Sequence, residues 1–396
     1  MSSRRGIGWL LILLPIGLAL ASPLLSGVHD ERGAGFQLPE QSSGPGASRA
    51  QDPAAPEATP ADTPSWAANF SISLHATAQG MKTWYAASSL GFEISTGVPY
   101  QVLHCKSCHE PAATGGCAAC HTEPAPSTGA RVDASLDGVC GSCHSRQMAE
   151  AAHYTDVHRE LGMSCLMCHS REDVMGDGNA YSSMLEEGAI DATCEDCHAT
   201  LSDNPYHVVH QGTVDCSACH TQAVVSCYNC HFETEIQLDQ KVAYGQFRDW
   251  IFLLNRDGKV HAANFQAVKY GDGTFVAIAP FHAHTIQRNA RECVDCHGNA
   301  AVRDYLDDGV IHVAWWDEAA GGLGHVEGVV PVPFDFLNAL RFDFVDLDRP
   351  GGTNWSFLES GADRIQILFG EPLTESQMEA LALTALWRSS EEPPGR

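Results

Sequence analysis

The apolar positions are unevenly distributed, and the first cluster lies at the N-terminus. An apolar run over residues 7–20 follows Arg4 and Arg5, and the small-residue pattern Ala19-Leu20-Ala21 stands at its end. This order of charge, apolar core and small residues is typical of a secretory signal. The run can be extended through Leu25, nearly the length needed to span a bilayer, so an uncleaved anchor is the alternative. We therefore predict a signal peptide or an N-terminal membrane anchor over residues 1–28.

The next segment has few large apolar residues. Residues 29–65 are rich in Ala, Pro, Ser, Gly and Gln. Such a composition cannot bury enough apolar surface to fold, so it predicts a disordered linker.

A strand-like pattern appears between residues 232 and 292. Apolar stretches at 250–254, 265–270 and 274–278 are separated by the turn signals Asn255-Arg256-Asp257-Gly258 and Gly271-Asp272-Gly273. This alternation of short apolar runs and turns predicts a small β-meander.

The C-terminal segment, 318–396, has a different composition. Residues 334–345 are aromatic and acidic, and residues 374–387 have the spacing of an amphipathic helix, for which Thr374 is a suitable N-cap. We expect this helix to cover one of the cofactors that the cysteine motifs predict or, alternatively, to dock a partner.

All sixteen cysteines fall into Cys-x-x-Cys pairs, and a histidine follows each pair immediately. The eight motifs are Cys105/Cys108/His109, Cys117/Cys120/His121, Cys140/Cys143/His144, Cys165/Cys168/His169, Cys194/Cys197/His198, Cys216/Cys219/His220, Cys227/Cys230/His231 and Cys293/Cys296/His297. Two thiols at this spacing can add to the two vinyl groups of one porphyrin, and the next imidazole then lies below the iron. Zinc knuckles, redox dithiols and structural disulfides do not require that histidine. The motifs predict eight covalently bound haem c groups.

The density of motifs sets the expected fold class. The motifs occupy residues 105–297, which is 193 residues, or about 24 per haem. So little polypeptide cannot build a hydrophobic core around each porphyrin, and the macrocycles must supply much of it. We expect a mainly α and irregular multihaem cytochrome fold around a stacked haem array over residues 66–317. The β-meander would be an insert within it at 232–292, and 318–396 would be haem-free.

Twelve of the twenty histidines lie outside the motifs and are available for the distal faces of the irons. Several recur shortly before a motif, as His158 does before Cys165 and His210 before Cys216. Eleven of the twelve lie beyond the N-terminal segment, so every haem could have two imidazole ligands. Such haems are low-spin and suited to electron transfer.

With these motifs the chain resembles the octahaem cytochromes c, in which a histidine and a glycine before a CxxCH motif commonly mark a ligand to a neighbouring haem. The stretches 158–165 and 210–216 have that arrangement. The predicted distal ligands are His75, His104, His153, His158, His207, His210, His282 and His284. His261, His312 and His325 are interpreted as ordinary solvated or core residues.

The resemblance covers both electron carriers and enzymes. It implies either transfer by haem-to-haem hopping or, alternatively, reduction of a small nitrogen or sulfur compound at one open haem. The CxxCK variant of the nitrite reductases is absent, and the spare histidines can close every iron. No catalytic residue is therefore assigned, although Arg248, Lys259, His261, Lys269 and Tyr270 would be the groups nearest an open site beside the meander.

Charge and export restrict the partners. The net charge of −26 makes nucleic acid an unfavourable partner and favours basic or metal-bearing redox partners. Export is expected, to the periplasm or the cell exterior, with the N-terminus as a tether if it is not cleaved. Redox proteins, terminal acceptors or further copies of the chain would be the partners.

Overall fold

The computed structural model describes residues 65–86, 91–103, 120–121, 136–202, 204–360 and 362–382. The predicted signal or anchor and residues 29–64 of the predicted linker lie outside these ranges. In the described part, no helix has the length and apolar content needed to cross a bilayer.

The centre of the fold is a six-stranded sheet. Its order is β11-β4-β3-β1-β2-β7, with β3 also paired to β2. The strands are β1 (Val224–His231), β2 (Ala243–Arg256), β3 (Lys259–Tyr270), β4 (Gly273–Pro280), β7 (Gly328–Pro331) and β11 (Ala362–Ile367). Strands β2, β3 and β4 form an antiparallel meander whose turns lie at the two predicted glycine-containing sites.

The expected fold class, a mainly α haem-array cytochrome fold with a small β insert, is wrong. The meander is the middle of a larger sheet, because β11 pairs parallel with β4 and β7 pairs parallel with β2. Two smaller sheets add β5 (Ile311–Asp317), β6 (Gly322–His325), β8 (Leu340–Phe342), β9 (Phe344–Leu347) and β10 (Trp355–Leu358). Residues that follow the last motif thus supply more than half of the strands in the described ranges.

Helices are short and lie mainly before β1. They span Ser65–Ile72, Leu74–Thr77, Gln79–Ala86, Phe92–Thr96, Leu136–Gly141, Ser145–His153, Val157–Glu160, Arg171–Met175, Pro205–His210 and Cys216–His220. Those after β1 span Phe232–Leu238, Cys293–Cys296, Ala300–Asp308, Phe336–Ala339 and Glu375–Ala382. The last begins where predicted, since the Thr374 hydroxyl accepts the Gln377 amide at 3.2 Å.

Three apolar clusters stabilise the sheet. The largest joins Trp250, Phe252 and Phe265 to residues of β5, β8 and β9. A second packs Ile251 and Leu253 against the C-terminal helix. In the third, the helices of residues 79–96 pack on the sheet, and we call this the Tyr85 cluster: Tyr85, Phe92, Tyr100, Leu103, Phe232, Val268, Phe275 and Ala277. Alternate side chains of β2 enter different clusters because successive residues of a strand point to opposite faces.

The stretch from residue 136 to 217 is packed differently. Among its described apolar side chains, only Leu185 and Ala189 are buried. Several large ones are exposed, including Leu161 at 70% and Val209 at 74%. This stretch contains three of the six fully described CxxCH motifs and has no apolar cluster of its own within the described ranges.

Candidate haem sites

Five motifs adopt one turn of helix. In four of them the histidine amide donates to the carbonyl of the first cysteine at 2.8–3.0 Å, over Cys140–His144, Cys165–His169, Cys194–His198 and Cys293–His297. The fifth forms the helix Cys216–His220. One helical turn places the first cysteine and the histidine on the same face, which the motif requires if all three side chains are to reach one porphyrin.

The second cysteine of several of these turns is open to solvent. Cys143, Cys168 and Cys197 are exposed free thiols. The amide of Cys143 donates to the Cys140 carbonyl at 3.2 Å. The Ser142 hydroxyl donates to the Cys143 sulfur at 3.8 Å. A free cysteine without a chemical role is usually buried like a small apolar residue. Exposure at these positions therefore fits thiols that attach a group, although the predicted thioether at Cys143 stays a prediction.

Polar caps start three of these turns. Asp215 accepts the Ser217 amide, and Thr193 and Glu292 each form a capping box with the aspartate three residues later. Since a cap satisfies amides that a short helix leaves unpaired, these residues fix where each cysteine begins its turn.

Each of the five motif histidines faces one other histidine across a gap. The ring centroids are 6.1–6.3 Å apart in the pairs His144–His75, His198–His158, His169–His284, His220–His207 and His297–His210. Two imidazoles on opposite sides of one metal, each at a metal–nitrogen distance of about 2.0 Å, would have centroids about 6.3 Å apart. The residues present therefore fit an iron held by two histidines at each site.

In two of the pairs, His207–His220 and His210–His297, the Nδ1 atom of each ring already has an acceptor. In each of these four rings Nδ1 lies 2.9–3.2 Å from a backbone carbonyl oxygen. The contacts are His207 with Ser202, His210 with Tyr206, His220 with Gln287, and His297 with Ala380. A carbonyl can only accept, so Nδ1 carries the proton and Nε2 remains the ligating atom. Sequence reasoning missed these partners, because a backbone carbonyl has no signature in the sequence.

Asp173 provides the corresponding acceptor for Nδ1 of His169. Its Oδ2 atom lies 3.2 Å from Nδ1 of His169, and its Oδ1 accepts the amide of Asp191. A carboxylate in this position fixes the ring and makes the opposite nitrogen more basic. The four-residue spacing from His169 was the signal in the sequence that could have identified it.

Burial favours the neutral form of three of the paired imidazoles. It lowers the pKa of His75 and of His144, and it lowers the pKa of His284 to about 4. Neutral imidazole is the form that binds a metal. Nearby Glu150 is fully buried, and burial raises its pKa to about 7 although it accepts the His284 amide.

The five sites adjoin one another. The thiols of Cys194 and Cys216 are within hydrogen-bond range, which joins the motifs at 194 and 216. Cys168 is close enough to Cys197 for their charges to interact, and so is Cys219 to Cys296. His144 and His169 interact in the same way. These interactions link the motifs in the order 140, 165, 194, 216 and 293.

Two motifs lie wholly or partly outside the described residues. The first comprises Cys105, Cys108 and His109, none of which is described, so the two thioethers and the proximal ligand assigned to them stay predictions. The predicted distal ligand His104 lies outside the described ranges as well.

In the motif at Cys117, only Cys120 and His121 are described. Nδ1 of His121 is buried without a hydrogen-bond partner. This ring therefore does not make the carbonyl contact that orients the imidazoles in two of the paired sites.

Two other predicted distal ligands contact residues that belong to no motif. His153 Nδ1 lies 2.5 Å from Nη1 of Arg248. His282 faces His261 with centroids 6.3 Å apart, and neither belongs to a motif.

The groups considered for an open catalytic site do not gather at one point. Lys269 is buried between Glu233 and Asp346, with distances of 2.9 and 2.5 Å. Arg248 contacts His153, and Lys259 is exposed at the start of β3.

The motif at Cys227 differs from the five helical ones. Cys227, Cys230 and His231 lie in β1, and the His231 amide donates to the Val242 carbonyl at 2.7 Å. His231 is 3% exposed, and both ring nitrogens have partners: Nδ1 is 2.9 Å from the Thr234 hydroxyl and Nε2 is 3.0 Å from Asp346.

Comparison with known proteins supports the chemistry of the motifs. Residues 109–149 match a family described as the doubled CXXCH motif. No curated protein and no solved structure matches the chain. The match and the motifs indicate a haem-binding protein of the c-type cytochrome kind, with covalently bound haem c and a role in electron transfer.

Proposed function

We propose that the chain is a multihaem electron carrier in which neighbouring haem sites form one continuous path. The observation that carries the proposal is the set of five histidine pairs, each joining a motif histidine to a second histidine at 6.1–6.3 Å. When bound, the haem irons supply one-electron redox chemistry, and electrons would pass from site to site.

The proposal assigns three roles to the chain's own residues. Cysteines such as Cys216 and Cys219 would hold each porphyrin, and the paired histidines would occupy both axial positions. Carbonyls and Asp173 hold the rings in the ligating tautomer. With both axial positions filled, no coordination site remains for a substrate, which favours electron transfer over catalysis.

The adjacency of the motifs supports a path and not a set of separate centres. Thiols of the motifs at 165, 194 and 216 interact with those of the next motif in the order 165, 194, 216 and 293. Exposed side chains in residues 136–217, such as Leu161 and Val209, would be covered by porphyrin. Covering one such side chain is worth about 1.5–3 kcal/mol.

Haem number and location complete the proposal. The eight motifs set an upper limit of eight haems. Five motifs have the paired geometry, those at Cys105 and Cys117 are included on their sequence alone, and the motif at Cys227 lies in a strand. The N-terminal pattern supports export, to the periplasm or beyond the cell. The net charge of −26 supports basic or metal-bearing redox partners.

A redox titration of the purified holoprotein, followed by electron paramagnetic resonance, tests this function. We expect low-spin signals from the oxidised haems, and signals perturbed by neighbouring haems as the array is reduced in steps. A high-spin fraction that shifts when nitrite, hydroxylamine or sulfite is added would replace the carrier with the reductase alternative. Magnetically isolated haems would contradict the path.

A further inference from the structure

The motif Cys227-Tyr228-Asn229-Cys230-His231 is the one described motif that lies in a strand. We infer that it carries no haem, and that it is instead a structural part of the sheet whose histidine links β1 to β9. The inference rests on the proposed function, because it concerns which CxxCH motifs of a haem carrier are loaded.

The strand places the cysteines and the histidine on opposite faces. Tyr228 enters the large core cluster, so alternation puts Cys227 on the other face. Asn229 has φ +53°, which interrupts the alternation, and Cys230 packs against the Tyr85 cluster. A porphyrin held by both thiols would therefore lie on the Tyr85 side of β1.

His231 points away from that side. It pairs in register with Lys269, whereas Cys230 pairs with Val268 of the Tyr85 cluster. Lys269 extends to Asp346 on β9, and so does His231. Because the imidazole lies across the sheet from the thiols, it cannot be the proximal ligand without refolding β1.

The residues between the cysteines are also committed to the sheet. The Tyr228 hydroxyl donates to the Asp343 carbonyl at 2.7 Å. The Asn229 side chain exchanges two hydrogen bonds with the backbone of Val345, at 2.7 and 2.8 Å. Together with the His231–Asp346 contact, these bonds attach the end of β1 to the segment 343–346.

Moving His231 onto an iron would be costly. The ring would have to leave the Thr234 hydroxyl, and Asp346 and Lys269 would lose a partner in a site where Lys269 is 3% exposed. Hydrogen bonds to charged groups in a buried site are among the stronger ones, so losing them destabilises the fold. The five helical motifs have no such obstacle, since each motif histidine faces a second histidine across a gap.

Peptide mapping of the reduced and alkylated holoprotein tests the inference. An elastase digest is suitable, because Ala223-Val224-Val225 separates this motif from the motif at Cys216. We expect the peptide with Cys227 and Cys230 to carry two alkyl groups, and the peptides with Cys216/Cys219 and Cys293/Cys296 to carry haem. Haem on the Cys227 peptide would overturn the inference, whereas a digest without any haem peptide would overturn the proposed function instead.

A pair of double variants gives a second readout. Replacing Cys227→Ala and Cys230→Ala should leave the haem absorbance per chain unchanged. The matched change at Cys216→Ala and Cys219→Ala should remove one haem's share of it. An equal loss in both variants would show that the strand motif is loaded.

Discussion

His210 and His297 face each other with ring centroids 6.1 Å apart and ring planes inclined by 21°. His210 ends the helix Pro205–His210, and His297 follows the helical turn Cys293–Cys296. In both rings Nδ1 is hydrogen-bonded to a backbone carbonyl. Two segments that are distant in the sequence thus each leave the Nε2 atom of a histidine available for an iron between the two rings. The proposed function depends on this arrangement.

Removal of the distal histidine from this pair should open one haem. We expect His210→Ala to convert one low-spin haem per chain to high-spin, because the iron loses its sixth ligand. Electron paramagnetic resonance of the oxidised protein measures this directly. His312→Ala is the matched control, since His312 is exposed on β5. A spectrum unchanged by His210→Ala would show that the pair does not hold an iron.

Neutralising Asp173 should raise one reduction potential. The carboxylate bonded to His169 favours the more positive ferric iron, so Asp173→Asn should raise the potential of that haem by on the order of 50 mV, about 1 kcal/mol for one electron. Spectroelectrochemistry would detect it. Asp257→Asn is the control, because that side chain is 92% exposed in the β2–β3 turn. Equal shifts in both variants would indicate a general charge effect and not a bond to the ligand.

The sequence shows which histidines stand near motifs but not which iron each one serves. His158 and His210 precede motifs by a few residues, yet each faces a motif further along, at His198 and His297. His284 reaches back to His169. Such pairings depend on how distant segments pack, and local spacing carries no information about them.

The size of the sheet was missed for a related reason. Strands β7 and β11 have four and six residues, and both join the meander by parallel pairing over long separations. Short edge strands have weak periodicity, and parallel partners require long connections. Strand β1 was missed because its residues were interpreted as a haem motif at Cys227. The preceding β-branched pair Val224-Val225 is the signal that could have revealed it.

Breaking the charge cluster beside His231 should destabilise the sheet. Lys269 is buried between Glu233 and Asp346, and Lys269→Met would leave these carboxylates without their cation. Since Asp346 is partly exposed, we expect a loss of about 2–4 kcal/mol in the free energy of unfolding. Lys259→Met, an exposed change on the same strand, should cost less than about 0.5 kcal/mol. Denaturant unfolding of the two variants compares them, and equal stabilities would mean that the cluster is not a support.

Protein made without haem should keep its sheet and lose the order of residues 136–217. The sheet has apolar clusters built from its own side chains, whereas residues 136–217 leave Leu161 and Val209 exposed. A segment that buries so little apolar surface cannot offset the entropy of ordering its backbone, so its order depends on the porphyrins.

Limited proteolysis with trypsin distinguishes the two regions. Cleavage at Arg159 and Arg171 should be much faster in the haem-free protein than in the holoprotein, while Lys269, inside β3, should resist in both. If Arg159 and Arg171 are equally protected without haem, the chain orders this segment by itself. The exposed apolar side chains would then have to be a surface for a partner protein. The prediction that porphyrins pack residues 136–217 would be wrong.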